Sequence, residues 1–237
     1  MEINGTDVNF EQFESAFILG DCIEGMRSIP DNYFDLAIVD PPYGGGNGSC
    51  EPPNRFGGRF AKYAPQRTGG TWAAKFERNI CAWDVAPPQE YFDELFRVSK
   101  NQIIWGGNYF RLPPCRCFVV WDKVNIAETF SMAMCEYAWT SFAGKNAKIY
   151  RKPPQDPTGA RFHPTQKPVD LYLWLISRYA KPGDKILDTH AGSASCLIAA
   201  HQLGHKFLGF EIDEDYYTKA KKRLDGAMAQ KNIFDFL

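Results

Sequence analysis

Lys185-Ile186-Leu187-Asp188-Thr189-His190-Ala191-Gly192-Ser193 is the stretch on which the fold turns. A short apolar strand ends in an acid. A glycine turn follows, and an apolar helix runs from Ser193 to Leu203, stopped by Gly204. The next apolar run leads into Gly209-Phe210-Glu211-Ile212-Asp213, so Glu211 follows Gly192 by nineteen residues. In an open α/β sheet, ligands bind beyond the carboxyl ends of strands, and an acid at about this spacing takes ribose hydroxyls. The helix start offers free N–H groups and a partial positive charge, and glycine lets the backbone come close to a ligand. No GxGxxG is present, which argues against a dinucleotide. An ordinary βαβ unit with a glycine turn would share the pattern.

Six further elements of the same kind lie outward from this stretch. With Lys185–Leu187, the runs Ala16–Leu19, Leu36–Val39, Gln102–Trp105, Phe118–Trp121, Tyr137–Phe142 and Lys206–Phe210 read as strands of a mainly parallel, seven-stranded sheet buried on both faces. Helices fit between them. Tyr91, Phe92, Leu95, Phe96 and Val98 make one apolar face. Pro168 opens a helix continued by Leu171, Leu175 and Tyr179. Cys22 to Ser28 and Glu214 to Gln230 supply two more, the first with Asp21 at its N-cap position. The whole, 1–237, reads as one α/β domain with helices on both faces.

Two stretches do not join this core. Gly44 to Thr71 is rich in Gly, Pro, Arg and Asn, and Gly144 to Gly159 in Lys, Pro and Gln. Loops this long in a compact domain are usually functional or disordered. Basic residues gather in and beside them: Arg55, Arg59, Lys62, Arg67, Lys75 and Arg78 within 51–80, Lys145, Lys148, Arg151, Lys152, Arg161 and Lys167 within 144–167. Residues 1–40 hold nine acids and only Arg27. The net charge of −1 therefore hides a segregation suited to a nucleic-acid face, although two solvated loops would look alike. Rings alternate with cations at Arg55-Phe56, Arg59-Phe60, Lys62-Tyr63 and Lys75-Phe76, a pattern fit to hold phosphates and stack on bases. Seven cysteines without a CxxC pair support neither a disulfide framework nor a zinc ribbon, so no metal is expected. The chain shows no signal core and no membrane span, and reads as cytoplasmic and reduced.

Leu36–Val39 leads into Asp40-Pro41-Pro42-Tyr43 and then Gly44-Gly45-Gly46. This tetrapeptide resembles the catalytic motif of enzymes that methylate exocyclic amino groups. Asp188–Ser193 resembles their S-adenosylmethionine loop, placed here after the catalytic motif. That order resembles the β group of DNA amino-methyltransferases. His163-Pro164-Thr165-Gln166-Lys167-Pro168 matches the family's HPTQKP segment residue for residue. Trp83-Asp84, Ile104 to Phe110 and Trp121-Asp122-Lys123 look like small prophage-type adenine methyltransferases; no chemistry is assigned to Trp105–Phe110, which also suits strand-end packing. The loop departs from the family where Thr189 and His190 replace Pro-Phe, Ala194 the second Gly, and Ser195 Thr.

The resemblance implies a class I S-adenosylmethionine-dependent methyltransferase fold, circularly permuted, acting on N6 of adenine in double-stranded DNA. Asp40, Pro41, Pro42 and Tyr43 would be catalytic. Asp21, Cys22, His163, Thr165, Lys167, Asp188, Gly192, Ser193, Glu211 and Asp213 would hold S-adenosylmethionine, Lys167 and its hexapeptide at the methionine end and Asp21 toward the adenine. Arg55, Arg59, Lys62 and Arg67 in a flexible insertion, 44–80, and Lys148, Arg151 and Lys152 in a small target-recognition loop, 144–162, would contact DNA. A homodimer stays open, as do cytosine N4, RNA and an inactive binding protein. The residue types suit the chemistry. An aromatic amine has its lone pair delocalised into the ring. A carboxylate and a rigid backbone carbonyl, here Asp40 and Pro41, can accept its two hydrogens and favour a pyramidal nitrogen. Tyr43 offers a flat face for an extruded base.

Overall fold

The computed structural model describes residues 2–3, 5–43, 85–129, 133–154, 161–163 and 165–230. Strands β1 (Glu2–Ile3) and β2 (Thr6–Asp7) pair as a small antiparallel hairpin. The main sheet contains β3 (Ala16–Leu19), β4 (Leu36–Val39), β5 (Gln102–Trp105), β6 (Phe118–Asp122), β7 (Cys135–Thr140), β8 (Lys148–Arg151), β9 (Ile186–Asp188) and β10 (Phe207–Glu211). Their order is β3-β10-β9-β4-β5-β7-β6-β8. The first five are parallel, β7 runs against both β5 and β6, and β8 is parallel to β6. Among the described residues, five α-helices accompany them: α1 (Cys22–Arg27), α2 (Gln89–Val98), α3 (Val169–Tyr179), α4 (Ser195–Gln202) and α5 (Glu214–Ala229).

Period-two alternation explains the layers. In β4, Leu36 and Ile38 join α3, α4 and α5 on one face, while Ala37 and Val39 join α1 and α2 on the other. All four are buried, as a central parallel strand covered twice requires. In β5, Ile103 and Trp105 face the first layer and Ile104 the second. Among the described residues, no helix is long and apolar enough to cross a membrane.

The strand order creates a switch point. From β9 the chain passes through α4 to β10 on one side. From β4 it runs to β5 on the other, with α2 on the way. β9 and β4 are neighbours, so the connections leave their carboxyl ends in opposite directions and open a crevice there.

Three expectations need correction. The main sheet has eight strands rather than seven, and the hairpin adds two more. The extra sheet strand is β8, inside the stretch read as a loop at 144–162. Lys148 to Arg151 has no apolar run because it lies at the sheet's edge, where Ile149 stays 53% exposed. α4 begins at Ser195 rather than Ser193, because Ala194 takes a left-handed turn, φ 59°. The insertion read at 44–80 lies outside the described residues.

Candidate active site

Asp40 stands at the carboxyl end of β4, and both its oxygens are engaged. Tyr43 Oη donates to Oδ1 at 2.8 Å. The Lys167 ammonium donates to Oδ2. Lys167 also pairs with Glu136 Oε2 at 3.1 Å, and Lys123 pairs with Glu136 Oε1 at 2.8 Å. The result is a chain of alternating charge, Asp40–Lys167–Glu136–Lys123. Four separate places in the sequence supply it: the end of β4, the turn before α3, β7, and the residue after β6. β7 runs antiparallel, so its amino-terminal part lies beside the carboxyl ends of β5 and β6.

Lys167 is 4% exposed, and burying such a group costs several kcal/mol unless it is paired. Burial pulls its pKa down, but Asp40 and Glu136 overcome this and hold the ammonium above its ordinary value. Burial pushes the Asp40 carboxyl up; Lys167 pulls it back and Glu136 adds to the push. Burial raises Glu136 as well, yet Lys167 and Lys123 win and keep it at about 2. By formal charge the cluster of two acids and two lysines is neutral.

Tyr43 is fixed by its surroundings. Its ring stacks on Tyr109 at 4.8 Å and 16°, with Phe110 edge-on at 6.2 Å. Gly106 makes this fit possible. It has φ 66°, and a Cβ there would come within 2.1 Å of Tyr43 Cε1. Tyr109 is 62% exposed, so the Tyr43–Tyr109 stack reaches the surface.

The neighbouring strands carry a second set of acids. Asp188, 3% exposed, ends β9 and accepts the His190 N–H at 3.1 Å. Burial dominates and pushes its carboxyl up to about 8. Glu211 ends β10 and spans the turn. Its Oε2 accepts the Gly192 N–H at 2.9 Å, and its Oε1 the Asp213 N–H at 2.9 Å. Burial raises its pKa, and those N–H bonds oppose the rise. Gly192, φ 52°, packs under His163, whose ring would lie 3.1 Å from an added Cβ. Burial, then Lys167 and Arg161, lower His163 to about 3, so the ring is neutral.

The other residues picked from the sequence fall into two groups. Asp21 lies after β3 and caps α1 through Ile23 N at 2.7 Å and Glu24 N at 3.1 Å. Cys22 beside it is half-buried, and desolvation, with Asp21 next to it, pushes its thiol up to about 12. Asp213 caps α5 through Tyr216 N at 2.9 Å, and Ser193 is buried against Ser195 at 3.1 Å. Thr165 turns its hydroxyl onto His163 Nδ1 at 3.2 Å. Lys148, Arg151 and Lys152 lie on or just after β8. Arg151 pairs with Asp122 at 3.2 Å, and Lys152 with Asp170. Arg55, Arg59, Lys62 and Arg67 lie outside the described residues.

Sequence reasoning missed Glu136, Lys123, Gly106 and Tyr109. It also missed what replaces Pro-Phe in the loop. Tyr91 Oη meets Thr189 Oγ1 at 2.6 Å, Thr189 meets His190 Nδ1 at 2.9 Å, and Tyr91 and His190 pack edge-to-face at 5.2 Å. Burial lowers His190 to about 4, keeping this chain neutral. The polar pair Thr189-His190 is therefore satisfied from α2, which no local pattern announces.

A largely parallel sheet with this switch point, and with an antiparallel strand set between β5 and β6, is a class I methyltransferase fold. The family described as DNA methylase matches residues 104–222, and the chain belongs to that family. The type II methyltransferase M2.LlaDCHI of Lactococcus lactis subsp. cremoris is 26% identical over 258 residues, covering 91% of this chain and 91% of its own. PvuII DNA methyltransferase, a cytosine-N4-specific enzyme, has a similar structure: TM-score 0.58, 13% identity, 93% of this chain and 88% of that one. The M1.HpyAVI–SAM complex matches with TM-score 0.52 and 18% identity, over 87% and 98% of the two chains.

Proposed function

We propose that this chain is a DNA methyltransferase of the circularly permuted β group, which moves the methyl of S-adenosylmethionine to N6 of adenine in double-stranded DNA. One observation carries the reading. The Asp40-Pro41-Pro42-Tyr43 segment and the Asp188–Glu211 acids around Gly192 lie at the ends of adjacent strands, β4, β9 and β10, although the chain separates them by about 150 residues. The catalytic strand also precedes the glycine-turn strands in the chain, as the permuted order requires.

The residues present fit the cofactor. Glu211 is held by two backbone N–H groups, which leaves its carboxylate oriented as an acceptor for ribose hydroxyls. Asp188 is a buried carboxyl suited to a cationic group, and Gly192 permits close backbone approach. When bound, S-adenosylmethionine supplies an electrophilic methyl on a sulfonium. Asp40 and the Pro41 carbonyl accept the two hydrogens of the target amine and aim its lone pair. Tyr43, stacked and hydrogen-bonded, offers a fixed plane for a base taken out of the duplex. With the cofactor bound, the N–C bond would form as the S–C bond breaks, and the Asp40 carboxylate would face the positive charge that passes from sulfur to nitrogen. The nitrogen then sheds one proton, for which Asp40 is the acceptor that the motif offers.

Adenine is favoured over cytosine because Asp heads the tetrapeptide, as in the adenine enzymes it resembles; the cytosine-N4 enzyme shares the fold at 13% identity. The test is product analysis. Duplex DNA methylated with labelled cofactor, digested to nucleosides and separated, should carry label in N6-methyladenine. Label solely in N4-methylcytosine would overturn the choice of base. Label in RNA alone would overturn the choice of polymer.

A further inference from the structure

Both oxygens of the Asp40 carboxylate are occupied before any substrate arrives, one by the Tyr43 hydroxyl and the other by the Lys167 ammonium. An incoming amine needs one of those places. Lys167 has a second seat prepared, since Glu136 Oε2 already lies 3.1 Å from its Nζ. Glu136 has a second cation of its own, because Lys123 holds its other oxygen at 2.8 Å. The Trp105 ring centroid lies 5.2 Å from Nζ. We propose that the Lys167 ammonium is the free protein's stand-in for the target amine, and that it withdraws from Asp40 to Glu136 when a base enters. The inference rests on the methyl-transfer reading above and adds two positioning residues, Lys167 and Glu136, to it.

The arrangement solves an electrostatic problem. An ionised carboxylate buried without a partner would take up a proton and lose its ability to stabilise a cationic nitrogen. Lys167 keeps Asp40 charged while the site is empty. During transfer the nitrogen becomes the cation, so Lys167 must stand back from Asp40 without itself becoming unpaired. A shift along the short path between two carboxylates does both, and the quartet remains neutral. Among the described residues, the titratable groups that act on Asp40 or feel its charge are Lys167 before α3, Glu136 on β7, Tyr43 after β4, Tyr172 on α3, Tyr91 on α2 and Asp188 on β9.

The test uses the full chain with DNA and labelled cofactor, in single-turnover rates across pH. Glu136→Gln removes the second seat, and Lys167 stays on Asp40. Transfer should slow by about tenfold or more, the scale of one charged hydrogen bond. Its acid limb should move to lower pH, because the negative charge that raises Asp40 is gone. Lys167→Met should move the acid limb to higher pH and keep transfer on the alkaline side. The double variant removes the clamp as well as the seat and restores neutrality, so it should run faster than Glu136→Gln alone. Thermal unfolding and cofactor binding check that each variant is folded. If Glu136→Gln does not fold, the upward shift in Lys167→Met decides the matter. Equal loss at all pH values in Lys167→Met, with an unmoved acid limb, would reduce the pair to a structural strut and overturn the proposal. So would a double variant no faster than a folded Glu136→Gln. A wild-type chain that binds cofactor and methylates no nucleic acid would remove the functional reading itself, a result distinct from either.

Discussion

Asp188 is the residue whose chemistry most directly predicts a measurable behaviour. Burial holds its carboxyl near 8, so at neutral pH it is largely protonated in the free protein. A cationic ligand group favours the ionised form, and binding below pH 8 must release that proton. Affinity for S-adenosylmethionine should therefore rise with pH and level off near 8, by up to about tenfold per unit. Titration calorimetry in buffers of different ionisation heat would show the release, and Asp188→Asn should abolish it; pH-independent affinity in the wild type would sink the assignment. The sign for stability is opposite. The folded chain keeps a proton that the unfolded chain loses above about pH 4, so this contribution is full in acid and fades as pH rises towards 8. Asp40→Ala should cut methyl transfer by about a hundredfold or more while leaving cofactor affinity near normal, because its partners are Tyr43 and Lys167 rather than the glycine turn. Asp40, Asp188 and Glu211 were legible in the sequence because each ends an apolar run, and residue type plus position is a local signal. Glu136 and Lys123 were not. Their meaning lies in pairing with a lysine supplied by the turn before α3, and nothing near them in the chain announces a buried charge.

At the scale of elements, the turn after β5 shows how backbone shape serves the site. Gly106 is left-handed and lies against Tyr43, and together these facts forbid a side chain. Gly106→Ala should cost about 1–2 kcal/mol in backbone strain alone. It should also dislodge Tyr43 from its place between Asp40 and Tyr109. The expected outcome is a lowered unfolding midpoint together with a larger fall in kcat than in cofactor affinity. A variant that keeps wild-type kcat would show that the Tyr43 pose has no part in transfer. Element positions themselves read well from apolar periodicity: β3, β4 and β5 fall on the expected residues, and α2, α3 and α5 within a residue or two at the ends that were stated. The misses share a physical cause. β8 is an edge strand with mixed exposure, so its only strand signal is pairing with β6, which a linear pattern does not contain. α4 starts late because Ala194 makes the turn that family relatives give to glycine, and its left-handed φ is set by the fold around it.

Across the whole molecule, charge is arranged unevenly, and several of the described basic residues are already paired. Arg151 is paired with Asp122 and Lys152 with Asp170, which leaves β8 less positive than its sequence suggests. Residues 55–67 carry Arg55, Arg59, Lys62 and Arg67 with no acid among them. If the chain grips duplex DNA through phosphates, that stretch should supply most of the counterion release. Each phosphate neutralised contributes about 0.9 to the slope of log affinity against log salt. Replacing Arg55, Arg59 and Lys62 by Ala should therefore lower the slope by roughly 2–3 and weaken binding to all sequences alike. Arg151→Ala with Lys152→Ala should lower it by roughly 1 or less, since freeing Asp122 and Asp170 offsets little and the lysine and arginine gave little to begin with. Fluorescence anisotropy over a salt series, on duplexes of unrelated sequence, measures both. Equal slopes for wild type and the triple variant would show that the 55–62 cations do not meet the backbone. A larger effect from the β8 pair would move the DNA-facing surface to the sheet's edge, beside Asp122 and the carboxyl end of β6, and so to the Lys123 end of the charged quartet.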